Sequence, residues 1–271
     1  MKTVSKILLV VLAIVSMAPL ASASTLYLTA GDQSRLTIVD TTTGGWTQQP
    51  LQGNEYALAV TNSIVTVGAY QNNGARYDLG GIYVAPLANA NTIANSQWLD
   101  GTTDRVNNYT VDFYNNNVYK TDSLFNNAQV LFSAGPGYTV IGITYQGTND
   151  SLWIADRYGV PGRLTDYTMS GAVLSSFDTD ITFIGGLAFD PTDGTLWVAT
   201  TNGCSTSGDT CLSHYSTSGA QLGSLLLTVS DNIIGGEFAE SGASVPEPTS
   251  LLLLGSGLAG LAGLGWRWKR Q

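Results

Sequence analysis

The amino-acid sequence predicts an all-β protein, and within that class a β-propeller of about five blades; a β-sandwich is the alternative architecture. Sixteen of the twenty acidic residues are Asp and only four are Glu; Asp favours turns, whereas Glu favours helices. Charged residues make up 11% of the chain and 31 of its 271 residues are Gly, which suits short strands joined by many turns. A unit of four such strands recurs roughly every 40 to 50 residues, as propeller blades do.

Two stretches of the chain carry the repeat most clearly. Residues 142–155 match residues 186–199 at an offset of 44, and residues 164–174 match residues 212–222 at an offset of 48. The four extra residues fall in the loop that contains both cysteines. Each copy therefore reads as strand, Asp/Gly turn, strand, loop, strand, Ser-Gly turn and strand.

Fainter copies extend the repeat over the rest of the domain. We expect one blade to be split between the two ends of the domain. Residues 26–44 match three strands of a blade but lack its first strand, and residues 234–239 resemble that missing strand. Pairing of these ends would close the ring and cover its edge strands. The remaining four blades are predicted near residues 56–100, 109–137, 141–178 and 184–228.

The best-conserved positions between the copies follow one pattern: Gly-apolar-Ala-Phe, then Asp-Gly-Thr-Leu-Trp, then a polar strand that ends in Ser-Gly. This pattern resembles the loose propeller repeats of NHL or YVTN type in exported bacterial proteins. The resemblance implies the fold and leaves the activity open.

The first 23 residues have the features of a secretory signal peptide. Lys2 and Lys6 supply the charged start, residues 7–15 are apolar, and Ala21-Ser22-Ala23 offers small residues at a cleavage site. We therefore expect a mature chain that begins at Ser24, with a single domain over residues 24–244.

Residues 245–271 form a tail of three parts. Pro246-Glu247-Pro248 precedes an uncharged stretch, residues 249–266, and the chain stops after a basic end that contains Arg267, Lys269 and Arg270. Eighteen residues at about 1.5 Å each nearly span a hydrocarbon core of roughly 30 Å, so we expect a transmembrane helix with its basic end in the cytoplasm. The alternative, a buried core helix, is disfavoured because nothing else in the chain is helical enough to surround it.

This tail resembles the PEP-CTERM sorting tail of exported proteins from Gram-negative bacteria that make exopolysaccharide. The resemblance implies recognition by an exosortase, a membrane enzyme, after passage through the export machinery. It also implies a protein anchored in the inner membrane by its tail and found at the cell surface or in the extracellular matrix after processing.

The charge of the domain excludes one class of partner. Residues 24–244 contain six basic and nineteen acidic residues, a formal net charge of −13. Such a surface repels nucleic acid and anionic lipid headgroups. We therefore predict no nucleic-acid partner.

Cys204 and Cys211 are the only cysteines in the chain. In an exported protein, two cysteines on either side of a Ser-Gly-Asp turn favour a disulfide that closes a hairpin loop. A free thiol pair and a metal site are the alternatives; the metal site would need further ligands that this loop does not offer.

Residues suited to catalysis are few. His214 is the only histidine, and we expect it on the face of a strand, at the position that Asp166 occupies in the preceding repeat. Carboxylates are close in sequence in two groups, which could hold Ca²⁺: Asp100 with Asp104, and Asp178 and Asp180 with Asp190 and Asp193. Because residues 190–194 also suit a tight turn, no cofactor is predicted.

The tryptophans divide into two groups. Trp153 and Trp197 occupy equivalent positions between aliphatic residues, which predicts packing between blades. Trp46 and Trp98 lie in less regular segments, and we expect them to form an exposed platform for a ligand such as a sugar.

These observations favour a non-enzymatic binding or matrix protein that associates with exopolysaccharide or with the cell envelope. The alternatives are a purely structural matrix protein and a propeller hydrolase, lyase or lactonase that acts on extracellular glycan through carboxylates in its channel. Convergent carboxylates near the propeller axis would favour the enzyme. An apolar plug in the channel together with an exposed Trp/Tyr face would favour binding.

Overall fold

A computed structural model describes residues 24–70, 73–88, 90–135, 140–157, 161–200, 209–229 and 231–239. The regular secondary structure of these residues is β-strand, apart from one 3₁₀ turn at Gly31–Gln33. None of the helical structure in these ranges is long and apolar enough to cross a membrane. The predicted signal peptide (1–23) and tail (245–271), including the expected helix over 249–266, lie outside the described residues.

The strands in chain order are β1 (Thr25–Ala30), β2 (Arg35–Asp40), β3 (Trp46–Pro50), β4 (Glu55–Val60), β5 (Ile64–Gly68), β6 (Gly74–Tyr77), β7 (Tyr83–Pro86), β8 (Trp98–Thr103), β9 (Asn107–Asp112), β10 (Asn117–Asp122), β11 (Gln129–Ser133), β12 (Val140–Gln146), β13 (Ser151–Asp156), β14 (Arg163–Thr168), β15 (Val173–Asp178), β16 (Ile184–Asp190), β17 (Thr195–Thr200), β18 (Thr210–Ser216), β19 (Gln221–Leu227) and β20 (Gly235–Phe238).

The strands form five separate antiparallel sheets of four strands each. From the axis outward, blade 1 is β20-β1-β2-β3, blade 2 is β4 to β7, blade 3 is β8 to β11, blade 4 is β12 to β15 and blade 5 is β16 to β19. The innermost strands of successive blades contact one another around the axis. The prediction of a five-bladed propeller is confirmed, and the sandwich alternative is wrong.

The two ends of the domain close the ring, as predicted. Strand β20 pairs antiparallel with β1, with Leu26 opposite Phe238 and Thr29 opposite Gly235. Ala239 N then donates to Thr25 O at 3.0 Å. Blade 1 is therefore built from both ends of the domain, and this pairing covers the edge of β1 that would otherwise be open.

The predicted boundary between the second and third blades is wrong. Residues 98–100 were placed at the end of the second blade and residues 101–103 between blades, but together they form β8, the innermost strand of blade 3, with Gly101 opposite Thr110. The segment lacks the Gly-apolar-Ala-Phe pattern, and its Asp100-Gly101 pair is typical of a turn. With β8 included, the unit that looked short from residue 109 has a full set of four strands.

Large side chains fill the spaces between neighbouring blades. Trp153 is buried beside Phe177, with ring centroids 5.7 Å apart, and Phe177 in turn contacts Tyr215 of blade 5 at 5.9 Å. Trp197 of blade 5 packs edge-on against Phe238 of blade 1 at 6.4 Å. The predicted role of both tryptophans in packing between blades is confirmed.

Aspartates make the tight turns at one end of the propeller. In each of four turns an Asp Oδ1 accepts two backbone N–H groups from residues that follow it, at Asp40, Asp78, Asp104 and Asp122. A Glu side chain is one methylene too long for this local bond. The turns therefore explain why the acidic residues are mostly Asp.

Candidate functional site

The propeller has two different ends. One end carries the connections between blades and the connections between the second and third strands of each blade; we call this end the loop face. The turn face is the opposite end, where tight turns join the first strand to the second and the third to the fourth. The innermost strand of every blade runs from the loop face to the turn face.

One carboxylate, that of Asp100, lies at the axis between the two faces. It is fully buried, and it accepts hydrogen bonds from the backbone N–H groups of Gly101 at 2.8 Å, Gly236 at 2.9 Å, Leu187 at 3.0 Å and Ile143 at 3.1 Å. The donors belong to four of the five blades. Burial raises the pKa of Asp100 well above its ordinary value, while the four N–H bonds act in the opposite direction.

Backbone atoms fill the axis around this carboxylate. A Cβ atom at Gly186 would lie 2.6 Å from the carbonyl carbon of Gly235, and one at Gly101 would lie 2.9 Å from Leu58 O. Thr102 and Thr144 each accept a bond at 2.9 Å from a backbone N–H of the next blade. The axis is therefore held by direct contact between the inner strands.

An apolar plug covers the loop-face side of Asp100. One large buried side chain comes from the inner strand of each blade or from the residue just before it, and all belong to one packed cluster: Tyr56, Leu99, Ile141, Ile184 and Ile234. Asp100 lies beneath this layer with its oxygens bonded to backbone N–H groups. Its geometry is that of a structural clamp between blades.

Two exposed tyrosines stand on the loop face. Tyr70 is 57% exposed and Tyr114 is 58% exposed. Gln97 Nε2 donates to Tyr70 Oη at 2.8 Å, and a hydrogen bond with Tyr114 is the main cause that raises the pKa of Tyr70. The Phe113 ring packs edge-on against Tyr114 with centroids 5.5 Å apart.

The polar part of this surface continues into blade 1. Tyr56 Oη donates to Asp32 Oδ1, and Asn232 Nδ2 donates to Asp32 Oδ2 at 3.2 Å. Burial and the bond to Asp32 raise the pKa of Tyr56, so it stays protonated at neutral pH. We call the set the loop-face cluster: Asp32, Tyr56, Tyr70, Gln97, Tyr114 and Asn232.

Asp112 fixes the backbone that carries the cluster in blade 3. Its Oδ1 accepts from Gln97 N at 3.2 Å and from Tyr114 N at 3.0 Å, and its Oδ2 accepts from Asn115 Nδ2 at 2.8 Å. Phe113 N also donates to Gln97 O at 2.9 Å. The exposed tyrosine therefore projects from a braced loop, which lowers the entropy cost of binding.

A concave pocket of about 390 Å³ lies at the turn-face end of the axis. Its lining includes Asp104, Arg105, Phe189, Glu237 and Phe238. Asp104 Oδ2 accepts from Tyr109 Oη at 2.6 Å and its Oδ1 accepts from backbone N–H groups. Although partial burial raises the pKa of Asp104, these bonds outweigh it and lower the pKa below its ordinary value, so Asp104 is anionic at neutral pH.

The structure separates the two tryptophans of the predicted platform. Trp46 is 37% exposed, but it begins β3 at the outer edge of blade 1, away from the loop-face cluster. Trp98 is fully buried against Tyr119 and Phe125. The expectation that Trp98 forms an exposed platform is wrong, because its neighbours on β10 and in the following turn cover it.

The carboxylates that were close in sequence do not meet. Asp178 and Asp180 lie at the loop face and Asp190 and Asp193 at the turn face, separated by the length of β16. Asp100 lies within β8, whereas Asp104 follows the end of β8 at the turn face. In the described part of the chain no three His, Cys, Asp or Glu side chains converge to hold a metal ion.

His214 lies on a strand, as expected, opposite Trp197, just as Asp166 lies opposite Trp153. Its ring stacks on Trp197 at 4.4 Å, and its Nε2 lies 2.6 Å from Thr195 Oγ1. Burial lowers the pKa of His214. Cys211 is buried on β18, whereas Cys204 lies outside the described residues, so the disulfide stays a prediction.

Sequence reasoning missed Tyr70 and Tyr114. Tyr70 lies two residues beyond the end of β5 and Tyr114 two residues beyond the end of β9, and Tyr114 precedes the run Asn115-Asn116-Asn117. An aromatic residue in an asparagine-rich loop has no core to enter, and that signal could have identified it.

Comparison with known proteins found similarities for both the tail and the propeller. Residues 244–271 match the family model of the PEP-CTERM protein-sorting motif. A chain of a nidogen–laminin complex is 10% identical with a TM-score of 0.55, over 81% of this chain and 100% of that one. A Bacteroides caccae protein of unknown function is 12% identical with a TM-score of 0.57, over 80% and 99% of the two chains.

These likenesses to solved structures concern the fold alone, and a search of curated proteins found no match. The sorting motif implies recognition by an exosortase and an exported, membrane-associated protein. The chain thus joins a five-bladed β-propeller to a PEP-CTERM sorting motif.

Proposed function

We propose that this protein is a non-enzymatic binding module that is tethered at the cell envelope and binds a neutral extracellular polysaccharide through its loop face. A transmembrane helix over residues 249–266 would anchor it, and processing would release it to the cell surface or matrix. The observation that carries the proposal is the loop-face cluster, in which two exposed tyrosines stand beside fixed amide and carboxylate groups.

The chemistry of the cluster suits a sugar chain. Tyr70 and Tyr114 offer rigid faces on which the apolar face of a sugar ring can stack, at a low cost in side-chain entropy. The amides of Gln97 and Asn232 and the carboxylate of Asp32 can bond hydroxyl groups at the ring's edge. The combination gives both contact area and orientation.

The charge of the domain selects among polysaccharides. With a formal net charge of −13 over residues 24–244, the surface repels polymers rich in uronic acid or sulfate, most strongly at low salt. We therefore expect neutral exopolysaccharide to bind better than acidic exopolysaccharide.

A glycan hydrolase or lyase is the second candidate. Asp100 is poorly suited to catalysis because it is buried and accepts four backbone N–H bonds. Such an enzyme would use the turn-face pocket, where Asp104 and Glu237 line a concave space.

One screen distinguishes the two functions. The purified chain from Ser24 is offered neutral and acidic glycans, and both binding and the release of shorter products are followed. We expect saturable binding of neutral glycan without products. Product release that a Glu237→Gln variant abolishes would contradict the binding module and support the enzyme.

A further inference from the structure

The described part of the chain ends at the turn face of the propeller, close to the axis. Strand β20 is the innermost strand of blade 1, and Ile234 N donates to Thr29 O at its loop-face end. At the other end Ala239 N donates to Thr25 O, and the adjacent Ser24 Oγ donates to Asp190 Oδ1 at 3.1 Å, beside a turn of blade 5. The last described residue therefore lies on the turn face.

The connection from that point to the predicted membrane span is short. Nine residues, 240–248, separate Ala239 from the uncharged stretch over 249–266. Ten Cα–Cα steps join Ala239 to residue 249, and each extended residue advances the chain by at most 3.3–3.6 Å, so the connection can cover at most about 33–36 Å. This upper limit holds for any conformation of these residues.

A longer path would be needed to turn the loop face toward the membrane. The connection would first cross blade 1 from β20 to β3, three strand spacings or about 14 Å. It would then run along the height of the blade, six residues or about 20 Å. The sum, about 34 Å, already uses the full extension of the connection before the path is lengthened to pass around side chains, so this orientation is disfavoured.

We infer that the turn face is apposed to the membrane while the tail is attached, and that the loop face, with its cluster, points away from the membrane toward extracellular polymer. This inference rests on the proposed membrane anchor. It assigns the two ends of the propeller different surroundings: the loop-face cluster is open to a polymer of any length, whereas the turn-face pocket faces the bilayer.

The charges of the turn face keep it from lying flat on anionic lipid. Among the described residues, its turns and the terminal strand residues beside them carry one cation, Arg105, and seven carboxylates: Asp40, Asp78, Asp104, Asp122, Asp150, Asp190 and Asp193. Like charges at this separation repel headgroups such as phosphatidylglycerol within a Debye length, about 8–10 Å. The domain should therefore stand off from the surface by as much as its connection permits.

Energy transfer from the protein to the membrane surface tests the orientation. The mature full-length chain is reconstituted in phosphatidylcholine vesicles that contain an acceptor dye on the lipid headgroups. A donor dye is attached to Asn62→Cys, in a turn of the turn face, or to Thr182→Cys, on the loop face; both positions are exposed. The unsubstituted chain measures background labelling of Cys204 and Cys211.

We expect stronger transfer from Asn62→Cys than from Thr182→Cys, because their distances from the membrane differ by about the 20 Å height of a strand. Insertion of about 40 Gly/Ser residues after residue 243 should bring the two signals together, since a long flexible linker lets the domain turn over. Equal or reversed transfer with the natural connection would overturn the inference. A chain that fails to float with the vesicles would instead overturn the proposed anchor.

Discussion

Replacement of Asp100 by Asn should destabilise the propeller strongly while changing its shape very little. Asn has the size of Asp, but only one of its two terminal atoms can accept hydrogen bonds. In the native protein each carboxylate oxygen accepts two backbone N–H groups: Oδ1 from Gly101 and Gly236, Oδ2 from Ile143 and Leu187. Whichever way the amide is oriented, two buried N–H groups lose their acceptor.

The cost follows from these two donors. A buried donor left unsatisfied costs roughly 1–3 kcal/mol, so Asp100→Asn should lower the free energy of unfolding by about 2–6 kcal/mol. For a domain of this size that corresponds to a melting temperature roughly 4–24 °C lower. Asp100→Ala would leave all four donors without an acceptor and is a poorer test, because it does not separate a loss of stability from a failure to fold.

The measurement is urea unfolding of the two proteins, followed by far-ultraviolet circular dichroism. Asp122→Asn is the matched control: Asp122 Oδ1 also accepts two backbone N–H groups, those of Leu124 and Asn126, but in a turn where an Asn oxygen can take over both bonds. The control should lose less than about 1 kcal/mol. If Asp100→Asn were as stable as Asp122→Asn, Asp100 would not be the clamp between the blades.

Three further perturbations test other parts of the account. Gly186→Ala should lower the free energy of unfolding by about 1–3 kcal/mol or more, because its Cβ would lie 2.6 Å from the backbone of Gly235. The control Gly223→Ala should be nearly neutral, because its Cβ would meet nothing within 4 Å. Equal melting temperatures of the two variants would argue against the close contact at the axis. His214→Gln should remove part of the pH dependence of the free energy of unfolding. Burial lowers the pKa of His214 in the folded state. The stability that depends on the neutral ring is therefore complete above the pKa of His in the unfolded chain, near 6.5, and is lost as the pH falls below that value. A stability difference between wild type and this variant that stays constant from pH 8 to pH 5 would contradict that reasoning. Cys204→Ser should lower the melting temperature only under non-reducing conditions if the predicted disulfide with Cys211 forms, by an amount worth about 2–3 kcal/mol for so short a loop; no effect on melting would remove the disulfide from the account.

The blade repeat could be predicted from the sequence because its determinants are local. Residues 186–199 repeat residues 142–155 so closely that two blades follow from alternation and turn chemistry alone. Closure of the ring also followed from local similarity, since residues 234–239 resemble an inner strand. In the described structure the corresponding segments form β12-β13, β16-β17 and β20.

The inner strand of blade 3 could not be predicted, because its stability depends on distant parts of the chain. An Asp in the middle of a strand is unfavourable by itself, and Asp100 is acceptable only because Gly236, 136 residues away, and two other blades donate to it. The same holds for Trp98, which Tyr119 and Phe125 cover. Local composition suggested exposure, and tertiary packing decided otherwise.

The loop-face cluster could not be predicted from the sequence for a different reason. Asp32, Tyr70 and Asn232 belong to three loops that are far apart in sequence, and loops have no periodic pattern to read. Only the ring of blades brings them to the same end of the molecule. The sequence predicted an aromatic platform at Trp46 and Trp98, whereas the exposed aromatic side chains of the loop-face cluster are Tyr70 and Tyr114.

We propose that the loop face binds neutral polysaccharide through its two exposed tyrosines. The most direct measurement compares the dissociation constant for one neutral exopolysaccharide between the wild-type chain, the double variant Tyr70→Ala with Tyr114→Ala, and the control Tyr83→Ala, which removes a tyrosine of 42% exposure from the outer strand of blade 2. Each loop-face ring should contribute at least about 1.4 kcal/mol, so the double variant should bind roughly 100-fold more weakly, while the control binds as the wild type does. Equal affinity of the wild type and the double variant would contradict the account.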